Sequence, residues 1–133
     1  MHILLTNDDG VFAPGLRALV GPLSTLGKLS ILAPNRNWSA SGHVKTMHRP
    51  LRVWHTQLAD GTPALSSDGA PSDCVAMALL GLIEEPIDLV ISGINPHANI
   101  GCCWAFPVAS IHPWWPHCCT RPSVTSWCAC SLK

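Results

Sequence analysis

The feature that most constrains this chain is a set of short, mostly apolar runs, each stopped by a polar or turn-forming cluster. His2-Ile3-Leu4-Leu5-Thr6 runs into Asn7-Asp8-Asp9-Gly10, Leu29-Ser30-Ile31-Leu32 into Ala33-Pro34-Asn35, and Ile87-Asp88-Leu89-Val90-Ile91-Ser92 into Gly93-Ile94-Asn95. Runs of this length with little polar alternation suit strands covered on both faces, as in a parallel sheet. From Gly15, apolar residues recur at Leu16, Leu19, Val20, Leu23 and Leu26, which is helical spacing, with Gly27 as a C-terminal stop. Pro22 sits inside this pattern and is expected to kink the helix or end it early. Strand, helix and strand within about 32 residues make a βαβ unit.

The polar stretch Asn35 to Gly42 reads as a loop, and residues 44–66 as an extended excursion. Leu51, Val53 and Trp54 suggest a strand, and Asp60-Gly61 a hairpin turn. A second helix opens at Pro71 or Ser72, with Val75, Ala78, Leu79 and Leu82 as its apolar stripe. The architecture is therefore α/β with a parallel sheet. Ligands of such sheets bind beyond the carboxyl ends of the strands. Asp8-Asp9, the Asn35–Gly42 loop and Asn95, far apart in sequence, are all delivered to that one edge.

Two adjacent carboxylates repel each other, and a cation relieves the repulsion. Oxygen ligands select a hard divalent ion such as Mg²⁺ or Mn²⁺. Asp8, Asp9, the Ser39 hydroxyl and the Asn95 amide oxygen would make an all-oxygen site with positions left for water and a phosphate oxygen. The competing reading is that Asp8-Asp9-Gly10 only forms a turn or caps the following helix.

The motifs carry a family resemblance. Thr6-Asn7-Asp8-Asp9-Gly10 with Ala13-Pro14-Gly15 resembles the N-terminal signature of the SurE family of metal-dependent 5′-nucleotidases and acid phosphatases. Ala33-Pro34-Asn35-Arg36-Asn37-Trp38-Ser39-Ala40-Ser41-Gly42-His43 resembles its polar metal-binding loop. Ser67-Asp68-Gly69-Ala70-Pro71-Ser72-Asp73-Cys74-Val75 resembles its Gly-Thr-Pro-x-Asp-Cys segment, with Ala70 where the family usually has Thr. Asp88-Leu89-Val90-Ile91-Ser92-Gly93-Ile94-Asn95 resembles the strand bearing its final metal ligand, and Pro96 to Gly101 matches the following loop loosely. The resemblance covers residues 1–101. It implies a Rossmann-like three-layer fold with a mainly parallel sheet, truncated here, with the β excursion around 44–66.

The activity implied is hydrolysis of phosphomonoesters, typically nucleoside 5′-monophosphates. One divalent metal ion, Mg²⁺ or Mn²⁺, would be held by Asp8, Asp9, Ser39 and Asn95. Asp8, Asn7 and Asn99 are the residues placed at the chemistry: Asn7 to hold the carboxylate loop or touch the phosphate, Asn99 near the phosphate. Asn7 and Asn99 also suit plain loop stabilisation. Ser41 suits a turn and His43 a hydrogen-bonded strand end, beside weaker readings as a site hydroxyl and a proton donor. Trp38 suits loop packing beside base stacking, Cys74 a buried small hydrophobe, and Asp73 a helix cap or a partner for a backbone amide.

Composition changes abruptly past Gly101. All eight acidic residues lie at or before Asp88, whereas six of seven cysteines and four of six tryptophans lie beyond Gly101. Residues 102–133 therefore read as an anomalous Cys/Trp/Pro-rich tail, expected to be frameshifted or disordered. The family's Ser-Gly-Thr segment and its oligomerisation arms do not follow. Cys102, Cys103, His112, His117, Cys118, Cys119, Cys128 and Cys130 are potential zinc ligands, but adjacent cysteine pairs fit zinc spacing poorly. A zinc-binding interaction protein and a non-catalytic remnant are thus the rival readings. Charged residues make up 12% and the net charge is zero, so no basic excess points to a nucleic-acid polymer; the partner that the resemblance implies is a nucleoside monophosphate or another small phosphomonoester. No apolar run approaches the roughly 20 residues that span a membrane, and the N-terminus lacks a signal-peptide pattern. A cytoplasmic enzyme is expected.

Overall fold

All five residues of the first strand, β1 (His2–Thr6), are buried. They alternate between two faces, as a strand's period of two dictates. Ile3 and Leu5 join one apolar cluster and Leu4 the other. A strand that needs cover on both sides forces a three-layer arrangement. The computed structural model describes residues 1–38, 46, 48–95 and 102–108, the last segment partly as backbone alone.

The elements after β1 are α1 (Pro14–Ser24), β2 (Lys28–Pro34), β3 (Val53–Gln57), β4 (Pro63–Ser67), α2 (Pro71–Met77), a wider π-type turn over Ala78–Leu82, β5 (Leu89–Asn95) and β6 (Cys102–Pro107). Among the described residues they build one six-stranded sheet in the order β3-β4-β2-β1-β5-β6. β4, β2, β1 and β5 run parallel, while β3 and β6 lie antiparallel on the two edges. This is the expected mainly parallel α/β sheet flanked by helices. The excursion is a β3–β4 hairpin, turned at Leu58–Thr62, where the Thr62 N–H donates to Asp60 Oδ1 at 2.9 Å.

Helix α1 packs Leu16, Val20 and Leu23 on the face carrying Ile3, Leu5, Ile31 and Ile91. Pro14 starts it, where a missing N–H costs nothing. The helix stops two residues past Pro22. The Thr25 hydroxyl donates to the Pro22 carbonyl at 2.7 Å and the Ser24 hydroxyl to Gly21 at 2.8 Å, satisfying carbonyls freed at the helix end. Leu26, read as part of the apolar stripe, is therefore exposed.

On the other face, α2 brings Cys74 and Val75 against Leu4, Leu32 and Val90. Its regular part is short: the chain widens at Ala78 and turns at Gly81, so Leu82 leaves the stripe and is exposed. Asp73 caps α2 as expected, accepting from the Ala70 N–H at 2.9 Å and also from the Thr46 N–H at 3.1 Å.

Residues 102–107 fall in the segment read as an anomalous Cys/Trp/Pro-rich tail, and they form β6 against β5, pairing Ser92 with Trp104 and Leu89 with Pro107. The outer edge of β5 is thus paired. Backbone pairing depends on main-chain N–H and C=O groups, which a composition rich in Cys and Trp does not remove.

Candidate functional site

Register places the polar clusters. β1 and β5 are parallel neighbours with Thr6 opposite Ser92, so Asp8, two residues past Thr6, and Asn95, the last residue of β5, lie at the same carboxyl edge of the sheet. β1 and β2 are likewise parallel, with Leu5 opposite Ile31, and the loop after Pro34 joins them there. β4 ends at that edge as well, parallel to β2, with Ser67 opposite Pro34.

The carboxylate loop is tightly held. Asn7 is fully buried, and its Oδ1 accepts from the Gly10 N–H at 3.0 Å, closing Asn7-Asp8-Asp9-Gly10 into a turn. Gly10 has a φ of +100°, a conformation few side chains tolerate. A Cβ there would also meet the Pro34 carbonyl oxygen at 3.3 Å. The Val11 N–H donates to that same carbonyl at 2.8 Å, and the Trp38 N–H donates to the Asp8 carbonyl at 2.7 Å. Farther out, Asn37 Nδ2 donates to Asp9 Oδ1 at 2.9 Å. The Asn35 N–H donates to the Ser67 carbonyl at 2.7 Å, tying the β2 loop to the end of β4.

Electrostatics single out Asp8. Burial is the main cause that raises its carboxyl above the ordinary value. Backbone donation opposes this, the neighbouring Asp9 charge adds to it, and the Asn95 side-chain amide, close enough to donate, pulls it back down. Asp8 Oδ1 and Asn95 Oδ1 are buried oxygens without a hydrogen-bond partner among the described residues. Buried acceptors left unmatched are costly, and an ion is one of the groups that match them. Among the described residues no group of three or more His, Cys, Asp and Glu side chains comes together. A cation here would therefore rest on two carboxylates supplemented by neutral oxygens, a donor set that fits Mg²⁺ or Mn²⁺ and not zinc.

Of the residues singled out from sequence, the structure brings Asp8, Asp9, Asn7 and Asn95 to one place. Ser39, Ser41, His43 and Asn99 lie outside the described residues, as do all tail ligand candidates from His112 onward. Trp38 packs under the Arg36 guanidinium, 4.7 Å from the ring centre. Cys74 is fully buried, with its thiol pushed up to about 12, first by burial and then by the Asp73 charge. The roles of Asn37 and of the Trp38 N–H have no local signature. They sit 28 and 30 residues from the loop they hold, and only the β1–β2 pairing joins them. Among the described residues, no helix is long and apolar enough to cross a membrane.

The model of the family described as survival protein SurE matches residues 3–106. The chain is 55% identical over 101 residues to the 5′-nucleotidase SurE of Chloroflexus aggregans, covering 76% of this chain and 40% of that protein. It is 57% identical over 101 residues to the 5′-nucleotidase SurE of Herpetosiphon aurantiacus, with the same coverage. The crystal structure of the SurE protein from Aquifex aeolicus superposes with a TM-score of 0.61 at 39% identity, over 75% of this chain and 40% of that one. The chain thus spans about 40% of the length of the curated relatives it matches, and the match ends inside β6. On these grounds the chain belongs to the SurE family.

Proposed function

We propose that the carboxyl edge of this sheet is the metal-dependent half of a phosphomonoester hydrolase acting on nucleoside 5′-monophosphates. The observation that carries the reading is the meeting of Asp8 with Asn95 from adjacent parallel strands, each with a buried oxygen unmatched by any described residue. The name 5′-nucleotidase SurE, borne by the relatives in Chloroflexus and Herpetosiphon, supports the substrate class.

In this reading Asp8, Asp9 and Asn95, joined by Ser39, hold one Mg²⁺ or Mn²⁺. When bound, the ion supplies Lewis acidity toward a phosphoryl oxygen and lowers the pKa of a bound water. The protein's own contribution is positioning. Asn7 closes the turn that presents the two carboxylates together. The tightly hydrogen-bonded Gly10 loop limits their movement, so little reorganisation accompanies the reaction. Asn99 is placed by the resemblance beside the phosphate, where its amide would donate to a non-bridging oxygen.

The test is phosphate release from a nucleoside monophosphate by residues 1–133 with excess Mn²⁺, compared with Asp8→Asn. Release that needs both the metal and Asp8 is expected, at a rate below that of the Chloroflexus relative. The family's Ser-Gly-Thr donors to the phosphoryl oxygens do not occur in this sequence. Release independent of metal and of Asp8 would overturn the reading. Cation binding with no release marks the second reading, a non-catalytic member, which the departure from the family pattern at Cys102-Cys103-Trp104 favours.

A further inference from the structure

We infer that Asn37 is a positioning residue that sets the affinity of the site for its cation by fixing the Asp9 carboxylate. This rests on the metal reading above and adds to it a residue that touches neither the ion nor the substrate.

A carboxylate has two oxygens and a side chain with two rotatable bonds. Left alone beside Asp8 it would swing toward solvent, because the two negative charges repel. Asn37 Nδ2 donates to Asp9 Oδ1 at 2.9 Å, and the other oxygen, Oδ2, is buried. The donor therefore takes the outer oxygen and leaves the buried one, on the residue next to Asp8, as the oxygen offered to a cation.

Asn37 is itself held from both sides. On one side the Asn35 N–H is bound to Ser67, and on the other the Trp38 N–H is bound to Asp8. Arg36 lies over the Trp38 ring, and the Arg36 carbonyl packs against Gly10 so closely that a Cβ there would stand 3.4 Å away. The β2 loop thus grips the carboxylate loop twice, through the main chain at Asp8 and through a side chain at Asp9. Outer partners of this kind orient metal ligands, and their loss weakens metal affinity by about 10–100-fold. The Asn37–Asp9 bond is solvent-exposed, so water replaces part of it and the lower end of that range is expected.

The experiment titrates residues 1–133 with Mn²⁺ and follows free Mn²⁺ by electron paramagnetic resonance, alongside melting curves in chelator. Asn37→Leu keeps the volume and removes the donor; Asn37→Gln keeps a donor on a longer arm. We expect Kd to rise about tenfold in Asn37→Leu, to recover partly in Asn37→Gln, and metal-free melting to stay unchanged in both. An unchanged Kd in Asn37→Leu overturns the inference while leaving the metal site intact. Equal weakening in both variants with a lowered metal-free Tm also overturns it, because the residue would then act only on loop folding. If the parent chain takes up no Mn²⁺, the metal reading itself fails and the inference falls with it.

Discussion

A methyl group on Gly15 would stand 2.0 Å from the carbonyl oxygen of Ile94. The first turn of α1 is therefore seated directly on the backbone at the end of β5, one residue before Asn95. Backbone cannot rotate away as a side chain can. Gly15→Ala should push α1 and the Asn95 strand apart and destabilise the protein by about 1–3 kcal/mol or more. Urea unfolding measures the loss, and the variant should also lose the Mn²⁺-induced rise in Tm, because Asn95 moves with the strand.

Asp8 should stabilise the metal-bound protein and destabilise the metal-free one. Its folded carboxyl is raised above the reference value of 3.8. The folded state therefore binds the proton more tightly than the unfolded state, and stability falls as pH rises through the interval between the two values. Above that interval the metal-free protein carries the full penalty, softened by the solvent that reaches this half-buried group. Asp8→Asn should accordingly melt slightly above the parent at pH 7 in chelator, with the gap closing at acid pH. Excess Mn²⁺ should reverse the order, since the parent alone then gains from ligand binding. Thermal melts at both pH values, with and without metal, check all three signs.

Ala70 is the residue that precedes and caps helix α2, and it has no side-chain acceptor for the first-turn amides. The Ala70 carbonyl accepts from the Asp73 N–H at 2.9 Å and the Cys74 N–H at 3.0 Å, while Asp73 caps from the other direction. Ala70→Ser adds the missing oxygen at small volume and should stabilise by about 0.5–1 kcal/mol. The check is a raised urea midpoint at unchanged slope.

Much of this was legible in the sequence. The apolar runs at residues 2–6 and 29–32 and the helical spacing from Leu16 gave the βαβ unit, because burial on two faces leaves a strong pattern. Asp60-Gly61 marked the hairpin, and the parallel-sheet rule brought Asp8 and Asn95 to one edge. What was not legible depends on register or on weak local signals. β6 lies in a segment whose composition hides it, and backbone pairing with β5 needs no side-chain code. The early widening of α2 at Ala78 moves Leu82 out of a stripe that reads as continuous. Asn37 meets Asp9 only because two strands pair in parallel.

Cys74 should resist alkylation in the folded protein. It is fully buried and its thiol is pushed up to about 12, so at pH 8 almost none is the reactive thiolate. Mass spectrometry after iodoacetamide treatment should show the Cys74 peptide unmodified until denaturant is added.

The most direct test of the central claim is anomalous scattering at the manganese edge from crystals of this chain grown with Mn²⁺. The account predicts one peak at the carboxyl edge of the sheet, with side-chain oxygens of Asp8, Asp9 and Asn95 about 2.0–2.6 Å from it. A peak elsewhere, or density showing Asn95 turned away from Asp8 with no ion between them, would contradict it.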